Sequence, residues 1–331
     1  MAIPLILIIA LILLFILSFW TGFTDAAYAI STVIGTRTLK PIYAVGLATT
    51  GNFTGMMFGT AVAFTIGTGI IDPKIASGEV IIAALAGALL FDYLSSWVFS
   101  LPISETHVLV GGLVGAGLAA GGLEAIKFLG IFEKVVIPMM TAPPISLIAV
   151  FLITLVIVRI FRQVSALKAN RYFKRLQLFS AFFMSVTDGT NDAQKIMGIA
   201  GILLVYYGFL SEFSVPFWVM IASYSTLSLG TFLGGWKVVK TMATRITRLR
   251  PYQGFSAETG CSLIMGSVAL LGLPVSSTHV AGGAIMGVGV AHRRKAVKWR
   301  TSRQIVAGWV LSIPVSAVFA YFLYQTIIFF R

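Results

Sequence analysis

Stretch after stretch of this chain stays apolar for roughly the 20 residues that a helix needs to cross a bilayer core. That constraint removes soluble architectures before any motif is read. Only 11% of the 331 residues are charged and 58% are hydrophobic, whereas a soluble domain carries about 25% charged residues. The expected fold is an all-α polytopic membrane protein, with 1–331 as one transmembrane transport domain, because no polar linker divides it. The first 20 residues lack a basic leading region and a small-residue cleavage site, so they are expected to form a retained first helix. Cys261 is the only cysteine, which rules out an intramolecular disulfide and Cys-based metal spacing.

The net charge of +13 is a topology signal rather than a mark of nucleic-acid binding. Most Lys and Arg residues collect in four loops: Arg37 with Lys40, Arg159 to Arg175, Lys237 to Arg250, and Arg293 to Arg303. None of these loops holds an Asp or Glu, whereas Asp72, Glu79, Glu124, Glu133 and Glu212 fall in the others. Basic loops face the cytoplasm, and they also suit contact with anionic membrane lipid.

Following the charges, residues 3–34 go in, 41–70 come back, and 135–160 cross to the long basic loop. The stretch 79–121 starts and ends on the acidic side and is broken at Pro102. It reads as a re-entrant hairpin with its tip at 102–107. Residues 177–208, 215–236, 253–291 and 303–330 repeat the order in the opposite sense, with a second tip at 274–279. Six spans and two hairpins place both termini outside the cytoplasm. The first inverted repeat is then 1–160, the second 177–331, and 161–176 is a basic cytoplasmic linker.

The halves also match residue by residue. Gly22-Phe23-Thr24-Asp25-Ala26 aligns with Gly189-Thr190-Asn191-Asp192-Ala193, and Pro102-Ile103-Ser104-Glu105-Thr106-His107 with Pro274-Val275-Ser276-Ser277-Thr278-His279. Interruptions at corresponding places in inverted halves mark the substrate site of a secondary transporter. Pro and Gly also kink packed helices without any ligand, but a kink does not require a shared six-residue pattern. The reading is an inverted-repeat secondary transporter with two re-entrant helical hairpins and broken helices.

At each tip, Pro ends one arm and a Ser two residues later can cap the next helix. The N–H groups of that helix's first turn attract anions. Ser104, Thr106, Ser276, Ser277 and Thr278 add hydroxyl donors suited to a tetrahedral oxyanion, although capping is the commonest role of such hydroxyls. Asp25, Asp92, Glu105, Asp188, Asp192 and Glu258 lie in or beside apolar segments, where ionisable groups are costly and usually functional. Asp25 and Asp192, at the paired breaks, suit a hard cation such as Na⁺, with Thr24, Asn191 and Asp188 as further oxygen ligands. The competing reading of Asp192 is a buried pair with Lys195, three residues on. His107 and His279, without a cysteine or carboxylate set, are weak zinc candidates. They suit a structural place behind the site or a proton relay.

These residues resemble the inorganic phosphate transporter (PiT) family. The resemblance rests on Gly189-Thr190-Asn191-Asp192-Ala193-Gln194-Lys195, on Gly234-Gly235-Trp236-Lys237, on Leu273 to His279, and on Gly287-Val288-Gly289 with Ala291-His292-Arg293. It covers nearly the whole chain. It implies symport of inorganic phosphate with Na⁺ or H⁺ by alternating access at the cell membrane. It implies no enzyme activity and no cofactor, and it leaves a homodimer open. By that resemblance phosphate sits at Ser104, Glu105, Thr106, Asn191, Asp192, Ser276, Ser277 and Thr278. The coupling cation sits near Thr24, Asp25, Asp188, Asn191 and Asp192.

The first half departs from the family pattern at Thr24, Tyr28 and Glu105, and the second at Asp188. A charged Glu105 would repel the anion, so it is expected to be protonated when phosphate binds, or to face away. Transport of sulfate or another tetrahedral oxyanion, and an anion channel, are the alternative functions. A membrane phosphotransferase lacks its motifs here, with no P-loop, no G-x-S-x-G and no metal-binding His cluster.

Overall fold

The computed structural model describes residues 4–99, 103–234, 249–293, 297 and 299–331. Pro102 of the first tip, Gly235-Trp236-Lys237 and most of the 237–250 basic loop lie outside the described residues. The described structure is all-helical and inside-out relative to a soluble protein. Large apolar side chains such as Leu5, Ile12, Met140, Ile148, Leu311 and Phe322 cover the outside. Asp25, Asp92, Glu105, Asp188, Asp192 and Lys195 are buried. That inversion is what a lipid solvent requires, because apolar surface costs nothing there and charge does.

Helix α1 (Leu5–Gly35) runs unbroken. Helix α2 (Pro41–Thr54) opens on Pro41, whose missing N–H costs nothing at a first helical position. It ends in a tight turn, Gly55–Phe58, before α3 (Ala61–Gly69). The first hairpin follows. Its incoming arm is α4 (Gly78–Asp92), which Ser77 caps at the Val80 N–H and which widens into a π-helical turn, Tyr93–Val98. Its outgoing arm is α5 (Glu105–Gly121). A short helix, Phe128–Ile131, and a second π turn lead into α6 (Ile137–Ile160). Helices α7 (Ala166–Tyr206) and α8 (Phe217–Leu233) come next. The second hairpin is α9 (Pro251–Leu270) and α10 (Ser277–His292), and α11 (Trp299–Phe329) closes the chain.

The order long helix, shorter segment, hairpin, long helix therefore occurs twice, and the two sets interlock. Helix α1 packs along α8, and α7 packs along α2 and α3. Helix α11 lies on the first hairpin, while α6 lies on the second. Each closing helix thus covers the hairpin from the other half of the sequence.

The sequence places helix breaks at Gly22 and at Gly189, and there the structure corrects it. Both α1 and α7 pass through those glycines without interruption. A Cβ on Gly22 would collide with the Leu227 carbonyl of α8, and one on Gly189 with the backbone of Asn52 in α2. The glycines serve close helix approach, so their pairing reports packing rather than unwinding. The breaks fall elsewhere, at Gly55–Thr60 between α2 and α3 and at the hairpin tips.

Four of the described helices are long and apolar enough to cross a membrane: Leu5–Gly35, Gly78–Val98, Phe128–Ile160 and Ser302–Phe329. Helix α7 has the length but carries the polar run Gly189 to Lys195 in its middle. Phe217–Leu233 is apolar but shorter.

Candidate transport site

The two hairpin tips meet in the interior, and α1 and α7 flank them. Thr106 Oγ1 of the first tip donates to the Val275 carbonyl of the second at 3.4 Å. Behind them the His107 and His279 rings pack edge to face, with centroids 4.6 Å apart. His107 Nδ1 lies 3.3 Å from the Trp309 carbonyl, and His279 packs on the Trp309 ring. The histidines thus join the two tips to α11, the structural place that was one of their two readings.

Both long helices touch both tips. From α1, the Thr24 hydroxyl lies 2.8 Å from Glu105 Oε1, and Asp25 Oδ2 accepts from the Ser277 hydroxyl at 3.3 Å. From α7, Asn191 Nδ2 donates to the Val275 carbonyl at 3.0 Å, and Asp188 reaches Ser277. Asp25 and Asp188, from different helices, therefore converge on one hydroxyl of the second tip. The Asn191 side-chain oxygen is buried with no donor among the described residues, which leaves it open to a cation. No group of three or more His, Cys, Asp or Glu side chains forms a metal cage among the described residues.

The tips share a pattern but use their hydroxyls differently. Ser104 accepts from the His107 N–H at 3.2 Å, a helix cap that occupies its oxygen. Ser276 holds the equivalent place but makes no such cap, and its hydroxyl pairs with Thr278 at 2.7 Å. The turn into the second tip is fixed from the other side. Gly272 has φ +68°, and the N–H groups of Gly272 and Leu273 bond the Ala269 and Val268 carbonyls. This is a glycine-terminated helix end that few other residues could adopt.

Three charged groups lie where the sequence did not firmly place them. Lys195 Nζ bonds Asp192 Oδ1 at 2.5 Å and Thr106 Oγ1 at 2.7 Å, so it belongs to the site rather than beside it. The i, i+3 spacing from Asp192 was its sequence signal. Asp92 is fully buried, accepts from Ser96 at 2.6 Å, and lies within hydrogen-bond reach of Glu105 across the first tip. No sequence spacing announces that meeting. Glu258 stands apart, held by Gln177 at 2.8 Å and Ser180 at 2.5 Å. Gln177 in turn accepts from Thr36 and Thr38, so this network ties α1, α7 and α9 together away from the tips.

The sequence pattern that defines the phosphate transporter family matches residues 21–171 and again 162–320. The chain belongs to the phosphate transporter family. Two relatives each bear the name "Probable low-affinity inorganic phosphate transporter". The one from Rhizobium meliloti is 43% identical over 96% of this chain and 95% of its own length. The one from Bacillus subtilis is 39% identical over 93% and 94%. A solved structure titled the sodium-dependent phosphate transporter superposes with a TM-score of 0.81 at 26% identity, covering 99% of this chain and all of the other. The protein is thus a helical membrane transporter of this family, and its role is transport rather than catalysis.

Proposed function

We propose that the chain carries inorganic phosphate across the cell membrane, coupled to Na⁺ or H⁺, by alternating access. One observation carries this reading. Two hydroxyl-lined tips, Ser104 to Thr106 and Ser276 to Thr278, meet between Asp25 and the Asp192–Lys195 pair in a buried centre. Hydroxyls and first-turn N–H groups suit the oxygens of a tetrahedral anion. Glu105, at the first tip, borders a small cavity shared with Asp192 and Lys195.

The carboxylates suit the coupling cation. Asp25 and Asp188, with Thr24, Asn191 and Asp192, supply oxygen ligands beside the anion place, and each ligand makes the other's site electrically tolerable. Binding of one then favours the other reciprocally. The structural neighbour named as sodium-dependent supports cation coupling. In this reading 1–160 and 177–331 are the inverted repeats, 161–176 is a cytoplasmic linker, and both termini lie outside.

The test is uptake of labelled phosphate by proteoliposomes against its gradient. Accumulation abolished by an ionophore supports coupled transport, whereas uptake that only follows the gradient identifies a channel. Competition by sulfate as effective as by phosphate would replace phosphate with a broader oxyanion class.

A further inference from the structure

Lys195 is the one buried lysine or arginine among the described residues. Its ammonium does more than neutralise the neighbouring Asp192. It bridges α7 to the first hairpin tip, donating to Asp192 Oδ1 and to Thr106 Oγ1. Thr106 passes the chain on, with its own hydrogen directed at the Val275 carbonyl of the second tip. A carboxylate and a hydroxyl converging from two elements are the ligands a dissociable monovalent cation would use, and here a tethered nitrogen occupies that place. An ammonium has three donors. With two engaged by Asp192 and Thr106, the third meets no acceptor among the described residues, and the small cavity at Lys195 also borders Asp192 and Glu105.

A purely structural ion pair has no need to reach a tip. Internal duplication sharpens the point. The offset that aligns Asp25 with Asp192 sets Tyr28 opposite Lys195, so the first half carries no such cation. Asp25 and Asp188 instead share Ser277 with no ammonium bonded to either among the described residues.

We propose that the Lys195 ammonium is a resident cation of the transport site. It stands in for a dissociable ion at Asp192 and presents a fixed positive charge to the phosphate. This inference rests on the phosphate reading above and deepens it. Its consequence is that no Na⁺ need bind at Asp192, and that any dissociable cation binds on the Asp25 and Asp188 side.

The experiment measures labelled phosphate uptake by proteoliposomes under a fixed pH gradient, with Na⁺ either present or replaced by choline. In each medium the rate of Lys195→Asn is read as a ratio to the wild type, because any Na⁺ need of the wild-type protein itself belongs to the Asp25 and Asp188 side. Lys195→Asn is expected to lose about tenfold or more in choline, because Asp192 is left without its buried counter-charge. Added Na⁺ should restore part of that loss, a response that mere misfolding would not give. Lys195→Arg should retain more uptake in choline than Lys195→Asn.

A Lys195→Asn deficit that added Na⁺ leaves unchanged relative to the wild type would overturn the inference while leaving the phosphate reading intact. Lys195→Asn with wild-type uptake in choline would overturn it as well. Failure of the wild-type protein to move phosphate under any ion gradient would remove the phosphate reading, and this inference with it.

Discussion

The first and second hairpin tips begin from one six-residue pattern and arrive at different chemistry. At the first, the Ser104 oxygen is committed to capping α5, Thr106 is committed to Lys195, and Glu105 with Asp92 adds two carboxyl groups. At the second, Ser276 leaves the first turn of α10 without a side-chain cap, and Ser277 faces Asp25. Duplication preserved the shape of the tips but not their donors. The second tip therefore lines the site with hydroxyls alone, while the first adds two carboxyl groups to it.

The sharpest way to break this comparison is at the charge that joins the tips to α7. Asp192→Asn leaves the Lys195 ammonium buried without its partner, a change costing about 3–5 kcal/mol. Phosphate uptake in proteoliposomes should fall about a hundredfold or more, and the melting temperature should drop with it. Retained uptake would remove the ion pair from the mechanism.

A smaller effect is expected at Glu105. If phosphate binding needs Glu105 protonated, uptake rises as pH falls through its titration and fades as pH rises. Glu105→Gln keeps the neutral form at every pH, so its pH profile should flatten by a few-fold against the wild type. An unchanged profile would show that the first tip does not sense protons through this residue.

The smallest effect separates the two serines. Ser104→Ala removes a helix cap and should lower stability by about 1 kcal/mol, read as a fall in melting temperature in detergent. Ser276→Ala removes no cap and should leave that temperature nearly unchanged. Equal losses would mean that the tips are built alike after all.

Much of this architecture was legible in the residues. The two tips, the Ser104 cap and the shared pattern at Asp25 and Asp192 follow from spacing alone, because Pro, Ser and Asp each act on nearby backbone, whereas the matching cap expected at Ser276 does not form. The helix breaks were misplaced for a physical reason. Gly22 and Gly189 look like interruptions along the chain, yet they exist for the backbones of α8 and α2 packed against them. Sequence shows that a Cβ is missing, and only the neighbouring helix shows why. The pairing of Asp92 with Glu105 and of Ser277 with Asp25 was hidden likewise. Those contacts arise from how separate segments pack, and no local period encodes them.

The claim that the tips divide the labour is tested most directly by phosphate kinetics of two double variants in proteoliposomes. Ser277→Ala with Thr278→Ala should raise the phosphate KM by about tenfold or more, the expected loss of hydrogen bonds to a charged ligand. Ser104→Ala with Thr106→Ala should change it by only about threefold, since Ser104 serves as a helix cap and the Thr106 hydroxyl is held between Lys195 and the Val275 carbonyl. Full activity of the Ser277/Thr278 variant, alongside an inactive Asp192→Asn, would contradict the assignment of phosphate to the second tip.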